Sequence, residues 1–159
     1  MKSLFRLYHR LTPFFRYAQS TFLLFIRLYW GSQLAHNGWA KLHNLDKVTE
    51  YFQSINVPMA HTTATMVSML ELVSGVLLCL GLASRLISIP LTINLVAAYW
   101  FGDHEALLAI FSDPDKFTAA APFTFLFVSL TVLLFGPGIF SLDALIRKIV
   151  GAPASEIHD

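Results

Sequence analysis

Four long apolar stretches, separated by short polar segments, organise this chain. They run over about residues 18–40, 62–83, 86–102 and 119–137. Each approaches the ~20 residues needed to cross ~30 Å of hydrocarbon at ~1.5 Å rise per residue, so the pattern predicts four transmembrane helices. Ahead of the first, Leu4, Leu7, Tyr8, Leu11 and Phe15 recur at helical spacing, with Lys2, Arg6 and Arg10 on the other side. That periodicity predicts a basic amphipathic helix over residues 1–17, lying on the cytoplasmic membrane surface. Pro13 is expected to end or bend it before the first span.

The connecting segments carry their own signals. Asn44 is placed to cap a short helix with Val48, Tyr51, Phe52 and Ile55 on its apolar side, broken at Asn56-Val57-Pro58. Gly81 and Ser84-Arg85 predict a tight turn joining the second and third spans as an antiparallel hairpin. Asp113-Pro114 has the form of an N-cap followed by proline at N1, so the fourth helix is expected to begin there. Gly136-Pro137-Gly138 ends it, and Ser141 caps a short final helix over Leu142–Val150. The predicted fold is therefore all-α: a four-helix membrane domain over residues 18–145, preceded by the surface helix and followed by a cytoplasmic tail over 146–159.

Composition narrows the function classes. The chain is 55% hydrophobic and 13% charged, against about 25% charged in soluble domains, so its expected partner is the lipid bilayer. Net charge is +1 with no basic block, which gives no reason to expect a nucleic-acid partner. Seven Lys and Arg residues lie in the N-terminal segment, at Arg85 and after the fourth span. The other two loops hold Lys47 and Lys116, with Lys41 at a border. By the positive-inside rule both termini are cytoplasmic. Arg27 interrupts the first apolar run and no small-x-small site follows, so that run reads as a span and not a cleaved leader.

Arg27 and Glu71 stand out because each sits near the middle of an apolar run, where an unpaired charge costs at least ~2.5–3.5 kcal/mol. If the two spans are aligned by their centres, the offset is about 6 Å, and an Arg27–Glu71 salt bridge is expected. Such a pair can register the helices or handle protons and substrate, and residue types alone do not choose between these roles. Arg27, Gly31, Leu34, Gly38 and Lys41 form one stripe, and Glu71, Ser74, Gly75 and Leu78 form another. Gly31, Gly38, Ser74 and Gly75 are the expected close-packing positions. Lys41 joins the candidate intramembrane polar site or anchors at the interface with Trp30 and Trp39, and Asn94 is an interhelical or pocket polar group. His36, His43 and His61 show no i, i+4 pairing, so no metal is expected. Cys79, the single cysteine, reads as packing. There is no phosphate loop, CxxC, nucleophile elbow or HExxH, which weakens any reading as a self-contained enzyme.

Arg27…Gly38-x-x-Lys41, Glu71-x-x-x-Gly75-x-x-x-x-x-Gly81-x-x-x-Arg85 and Gly136-Pro137-Gly138-x-x-Ser141-Leu142-Asp143 together resemble the DoxX family, over about residues 20–145. The resemblance implies a bacterial inner-membrane protein with a four-helix core. Some relatives are linked to quinone-coupled sulfur oxidation, others to oxidoreductase assemblies that resist oxidative stress. The expectation is thus a subunit or scaffold of a redox-linked system, with no evident cofactor of its own but a quinone as candidate ligand. A soluble or membrane redox protein, or a second copy of the chain, would be its partner. The alternative is a small-solute transporter, for which no inverted repeat or pair of broken helices is visible.

Overall fold

The computed structural model describes residues 2–151, with side chains from residue 14 onward. Among them there are eight helices and no strand. Four are long: α1 (Lys2–His43), α3 (Ala60–Leu80), α4 (Ser84–Phe101) and α7 (Pro122–Phe135). The short ones are α2 (Leu45–Ser54), α5 (His104–Leu108), α6 (Pro114–Ala119) and α8 (Leu142–Val150). The four predicted apolar runs fall on the long helices.

Three local expectations are corrected. Pro13 does not end α1, which is continuous through it. A proline removes a single ladder hydrogen bond, and a helix of 42 residues continues past that loss, as α4 does past Pro90. The predicted amphipathic face over residues 1–17 falls mostly on side chains outside the described set, as do residues 152–159 of the tail. The fourth helix is not continuous from Pro114: Ala120 is extended (ψ 142°) between α6 and α7. Pro122, at the start of α7, has no N–H to carry the ladder across. Asn44 does not cap α2 with its side chain. Its Nδ2 instead donates to the Ala40 carbonyl at 2.9 Å and closes the end of α1.

Other terminators behave as written in the sequence. Asp113 accepts from the Lys116 backbone N–H at 3.2 Å, and Ser141 accepts from that of Ala144 at 3.1 Å. Gly81 takes the left-handed conformation (φ +67°) with Gly81 N–H donating to Leu78 and Leu82 N–H to Leu77, a Schellman ending for α3. Across the far end of the molecule, Lys116 Nζ pairs with Glu105 at 2.8 Å and ties α6 to α5.

α1 and α3 pack antiparallel with their backbones nearly touching. A Cβ on Gly38 would meet the Leu72 backbone N and lie 2.7 Å from the Ser68 carbonyl. One on Gly75 would meet the Ala35 backbone N and lie 2.6 Å from the Gly31 carbonyl. One on Gly31 would lie 2.9 Å from Cys79 Sγ. Small side chains let two helices approach this closely. α4 and α7 are joined differently, by hydroxyls: Ser129 Oγ donates to the Ser88 carbonyl at 3.1 Å and lies 2.8 Å from Thr92 Oγ1. Leu34, Leu78, Leu91, Leu95 and Val132 fill the centre.

Around that core the bundle buries polar side chains and exposes large apolar ones. Arg27, Ser68, Ser74, Ser84, Ser88 and Ser129 are wholly buried, while Phe25, Met66, Leu86, Ile93, Phe127 and Leu134 are exposed. One helix, α3, is long and apolar enough by itself to cross a membrane among the described residues; α7 is apolar but shorter.

The glycine contacts predict that Gly75→Leu forces α1 from α3, because the obstructing atoms are backbone. Overpacking of this kind costs about 1–3 kcal/mol. Thermal unfolding of detergent-purified protein should show a clear loss of stability for Gly75→Leu. Met69→Leu, on the outward face of α3, should stay within about 0.5 kcal/mol of the parent. Equal effects in the two variants would contradict the packing.

Candidate functional site

The register of α1 on α3 separates the two charges that the sequence pairs. Gly31 faces Gly75 and Cys79, and Gly38 faces Ser68 and Leu72, so Arg27 arrives opposite Gly81. Ten residues of α3, about 15 Å, then divide that level from Glu71. The expected Arg27–Glu71 salt bridge is not formed. The centres of the apolar runs are not the points at which the helices meet; the glycines set the register.

Arg27 belongs to a knot at one end of the bundle. Its Nη2 donates to the Phe140 carbonyl at 2.6 Å and its Nε to the Leu23 carbonyl at 3.3 Å. A Cβ on Gly81 would collide with its Nη1, which has no hydrogen-bond partner. Asp143 belongs to the same knot but forms no ion pair with Arg27. Asp143 itself accepts from the backbone N–H groups of Ala83 (2.7 Å) and Ser84 (3.1 Å), and its own N–H donates to the Gly81 carbonyl at 3.0 Å. It thereby caps α4 from the far end of the chain and holds Ala83 in the left-handed region (φ +47°). Gly138 lies against Ser20, whose Oγ accepts from the Ile139 N–H at 3.3 Å. Gly136-Pro137-Gly138 and Ser141-Leu142-Asp143 are thus the joint that fastens the last segment to α1 and the α3–α4 turn.

Glu71 belongs to a different place. Its Oε1 accepts from Lys41 Nζ at 2.6 Å. The carboxyl is nearly buried and its Oε2 has no partner, while Lys41 is 36% exposed. This ion pair stands in the wall of a cavity of about 430 Å³ between α1, α3, α4 and the start of α7. Leu34, Leu95, Ala98, Phe125 and Pro122 give it apolar walls; Tyr51, Phe52 and Ile55 reach it from the α2 side. Asn37 and Asn94 add two amides. A Cβ on Gly102 would lie 3.1 Å from Tyr51 Oη, so the α2 segment closes down on the end of α4. An apolar hollow with a few convergent polar groups is the usual form of a small-molecule site.

Of the four candidate polar residues, Lys41, Glu71 and Asn94 converge on the cavity, and Arg27 does not. Gly31, Gly38 and Gly75 lie in the α1–α3 contact, and Ser74 is buried on the same helix face. Cys79 Sγ packs on the Arg27 and Leu28 carbonyls at 3.6 and 3.8 Å. His36, His43 and His61 are exposed, and no metal-binding group of three His, Cys, Asp or Glu occurs among the described residues. Sequence reasoning missed Asn37 and Tyr51. Asn37 had a signal, since it stands one helical turn before Lys41. Tyr51 was assigned to the apolar side of the α2 segment without a destination.

The model of the DoxX family matches residues 22–104, just over half of the chain. The chain belongs to the DoxX family. The DoxX match includes Arg27, Lys41, Glu71, Asn94 and the α1–α3 glycines, but stops before Gly136–Asp143. The joint made by that C-terminal motif therefore lies beyond it. No curated protein and no solved structure matches the chain. DoxX is a membrane family, which accords with the apolar exterior and with α3.

Removing one partner of a buried ion pair costs about 3–5 kcal/mol, and the 36% exposure of Lys41 lowers that cost here. A double-mutant cycle on Lys41→Met and Glu71→Leu should therefore show coupling of at least about 1 kcal/mol, read by thermal unfolding in detergent. Arg27→Met with Glu71→Leu should be additive within about 0.5 kcal/mol. The reverse outcome would restore the Arg27–Glu71 pair.

Proposed function

We propose that this DoxX protein spans the bacterial inner membrane four times, through α1, α3, α4 and α7, with both termini in the cytoplasm. Its cavity binds a lipid-soluble molecule with a polar head, for which a quinone is the foremost candidate. On this reading the chain is a ligand-binding subunit or scaffold of a redox-linked system and leaves catalysis to a partner protein.

The observation that carries the proposal is the Lys41–Glu71 pair in the wall of a largely apolar cavity whose other polar groups include Asn37, Thr63, Asn94 and Asp103. A charge pair in such surroundings is costly to bury and is a common mark of a functional position in membrane proteins. The residues fit a quinone head. Lys41 Nζ and the amides of Asn37 and Asn94 can donate to carbonyl oxygens, and Glu71 Oε2 is a free acceptor for a hydroxyl. Phe125 and Leu95 offer apolar faces to a ring. When bound, a quinone supplies paired electron and proton transfer. The task of this chain is to orient the head, with Glu71 Oε2 as the acceptor for a quinol hydroxyl.

The transporter alternative finds less support. Leu34 and Leu95 border the cavity and continue into Leu78, Leu91 and Val132, an apolar plug between it and the Arg27 end. A solute path would have to pass through that plug.

The test is titration of purified protein with a short-tailed quinone by isothermal calorimetry, together with lipid extraction of what co-purifies. Saturable binding at one site per chain is expected. It should weaken about tenfold or more in Lys41→Met and Asn94→Leu, as loss of a hydrogen bond to a ligand does, and persist in Cys79→Ser. Absence of saturable binding, or binding indifferent to Lys41 and Asn94, would overturn the quinone reading.

A further inference from the structure

α8 is an amphipathic helix with no buried residue. Its five apolar side chains, Leu142, Leu145, Ile146, Ile149 and Val150, fall on one arc at helical spacing, and the last four are 45–74% exposed. Arg147 and Lys148 flank that arc in the last turn. The root of the helix is fixed. Ser141 caps it, and Asp143 is fastened to Gly81, Ala83 and Ser84, at the turn where α3 ends and α4 begins.

That turn marks one end of the hairpin, so the apolar face of α8 starts at the level where hydrocarbon gives way to headgroups. Among the described residues, the exposed charges on this end are of one sign. Arg16, Arg85, Arg147 and Lys148 are exposed here, while the one carboxylate of the joint, Asp143, is spent on backbone N–H groups. An exposed apolar face set at the membrane surface and edged with cations complements anionic lipid. From these features we infer that α8 lies in the interface of the cytoplasmic leaflet, its Ile146–Ile149 face among the acyl chains and Arg147 and Lys148 on anionic phospholipid headgroups. The inference rests on the membrane reading above. It adds a lipid-binding surface distinct from the cavity at the opposite end of the bundle.

Single spin labels in a Cys79→Ser background test it, at Ile149, at Lys148 and at Val96 on the outward face of α4. The protein is reconstituted in phosphatidylcholine vesicles, and in equimolar phosphatidylcholine–phosphatidylglycerol vesicles. Accessibility to oxygen is compared with accessibility to a water-soluble nickel chelate. In the anionic vesicles the oxygen-to-nickel ratio at Ile149 should be severalfold higher than at Lys148. Arg147→Gln with Lys148→Gln should lower the ratio at Ile149. Equal wetting of Ile149 and Lys148, with Val96 immersed, would overturn the inference and leave the membrane reading standing. A wetted Val96 would instead defeat the membrane reading itself. Shielding of Ile149 from both reagents would mean that protein, not lipid, covers the face. Immersion indifferent to phosphatidylglycerol would overturn the headgroup contact.

Discussion

The glycine contact between α1 and α3 is the constraint on which the rest of the structure depends. Gly31, Gly38 and Gly75 bring two backbones together; a Cβ on Gly38 or Gly75 would collide with the partner backbone, and one on Gly31 would meet Cys79 Sγ. The meeting has one register, and that register decides which charge faces which level of the partner helix. Arg27 is delivered to the α3–α4 turn and Lys41 to Glu71. Two polar centres result, one at each end of an apolar plug, in place of one at mid-depth.

The two centres solve the cost of burying charge in different ways. Arg27 is held by carbonyl oxygens, chiefly that of Phe140, with its Nη1 left without a partner. Asp143 is already occupied by the N–H groups of Ala83 and Ser84, so the cluster reads as a clasp with little freedom to exchange ligands. Glu71 has one oxygen paired and one free beside a cavity, and Lys41 is partly open to it. Glu71 offers unused hydrogen-bonding capacity next to empty volume and can take a ligand; the Arg27 clasp does not border that cavity. That contrast is why the proposed function follows Glu71 and leaves Arg27 to structure.

Much of the fold was legible because it rests on local chemistry. Gly81, Asp113-Pro114, Ser141 and the Gly-Pro-Gly segment act where their backbone preferences say they should. The stripe from Arg27 to Lys41 was also legible, since it follows from helical period alone. The partner of Glu71 was not. Choosing Arg27 or Lys41 requires knowing the sliding of one helix along another, and apolar run lengths fix that only to several residues. Asn44 shows the same limit on a smaller scale: a cap residue between two helices can serve either, and tertiary placement gave its amide to α1.

Disulfide cross-linking between α1 and α3 tests the register most directly. Gly31→Cys would set its Cβ 2.9 Å from Cys79 Sγ. Oxidation should therefore join residues 31 and 79 within one chain, identified by mass spectrometry of the linked peptides. If Arg27 faced Glu71 instead, residue 31 would lie opposite Val67. A cross-link that forms between Gly31→Cys and Val67→Cys in a Cys79→Ser background, with none to Cys79, would contradict the separation of the two centres.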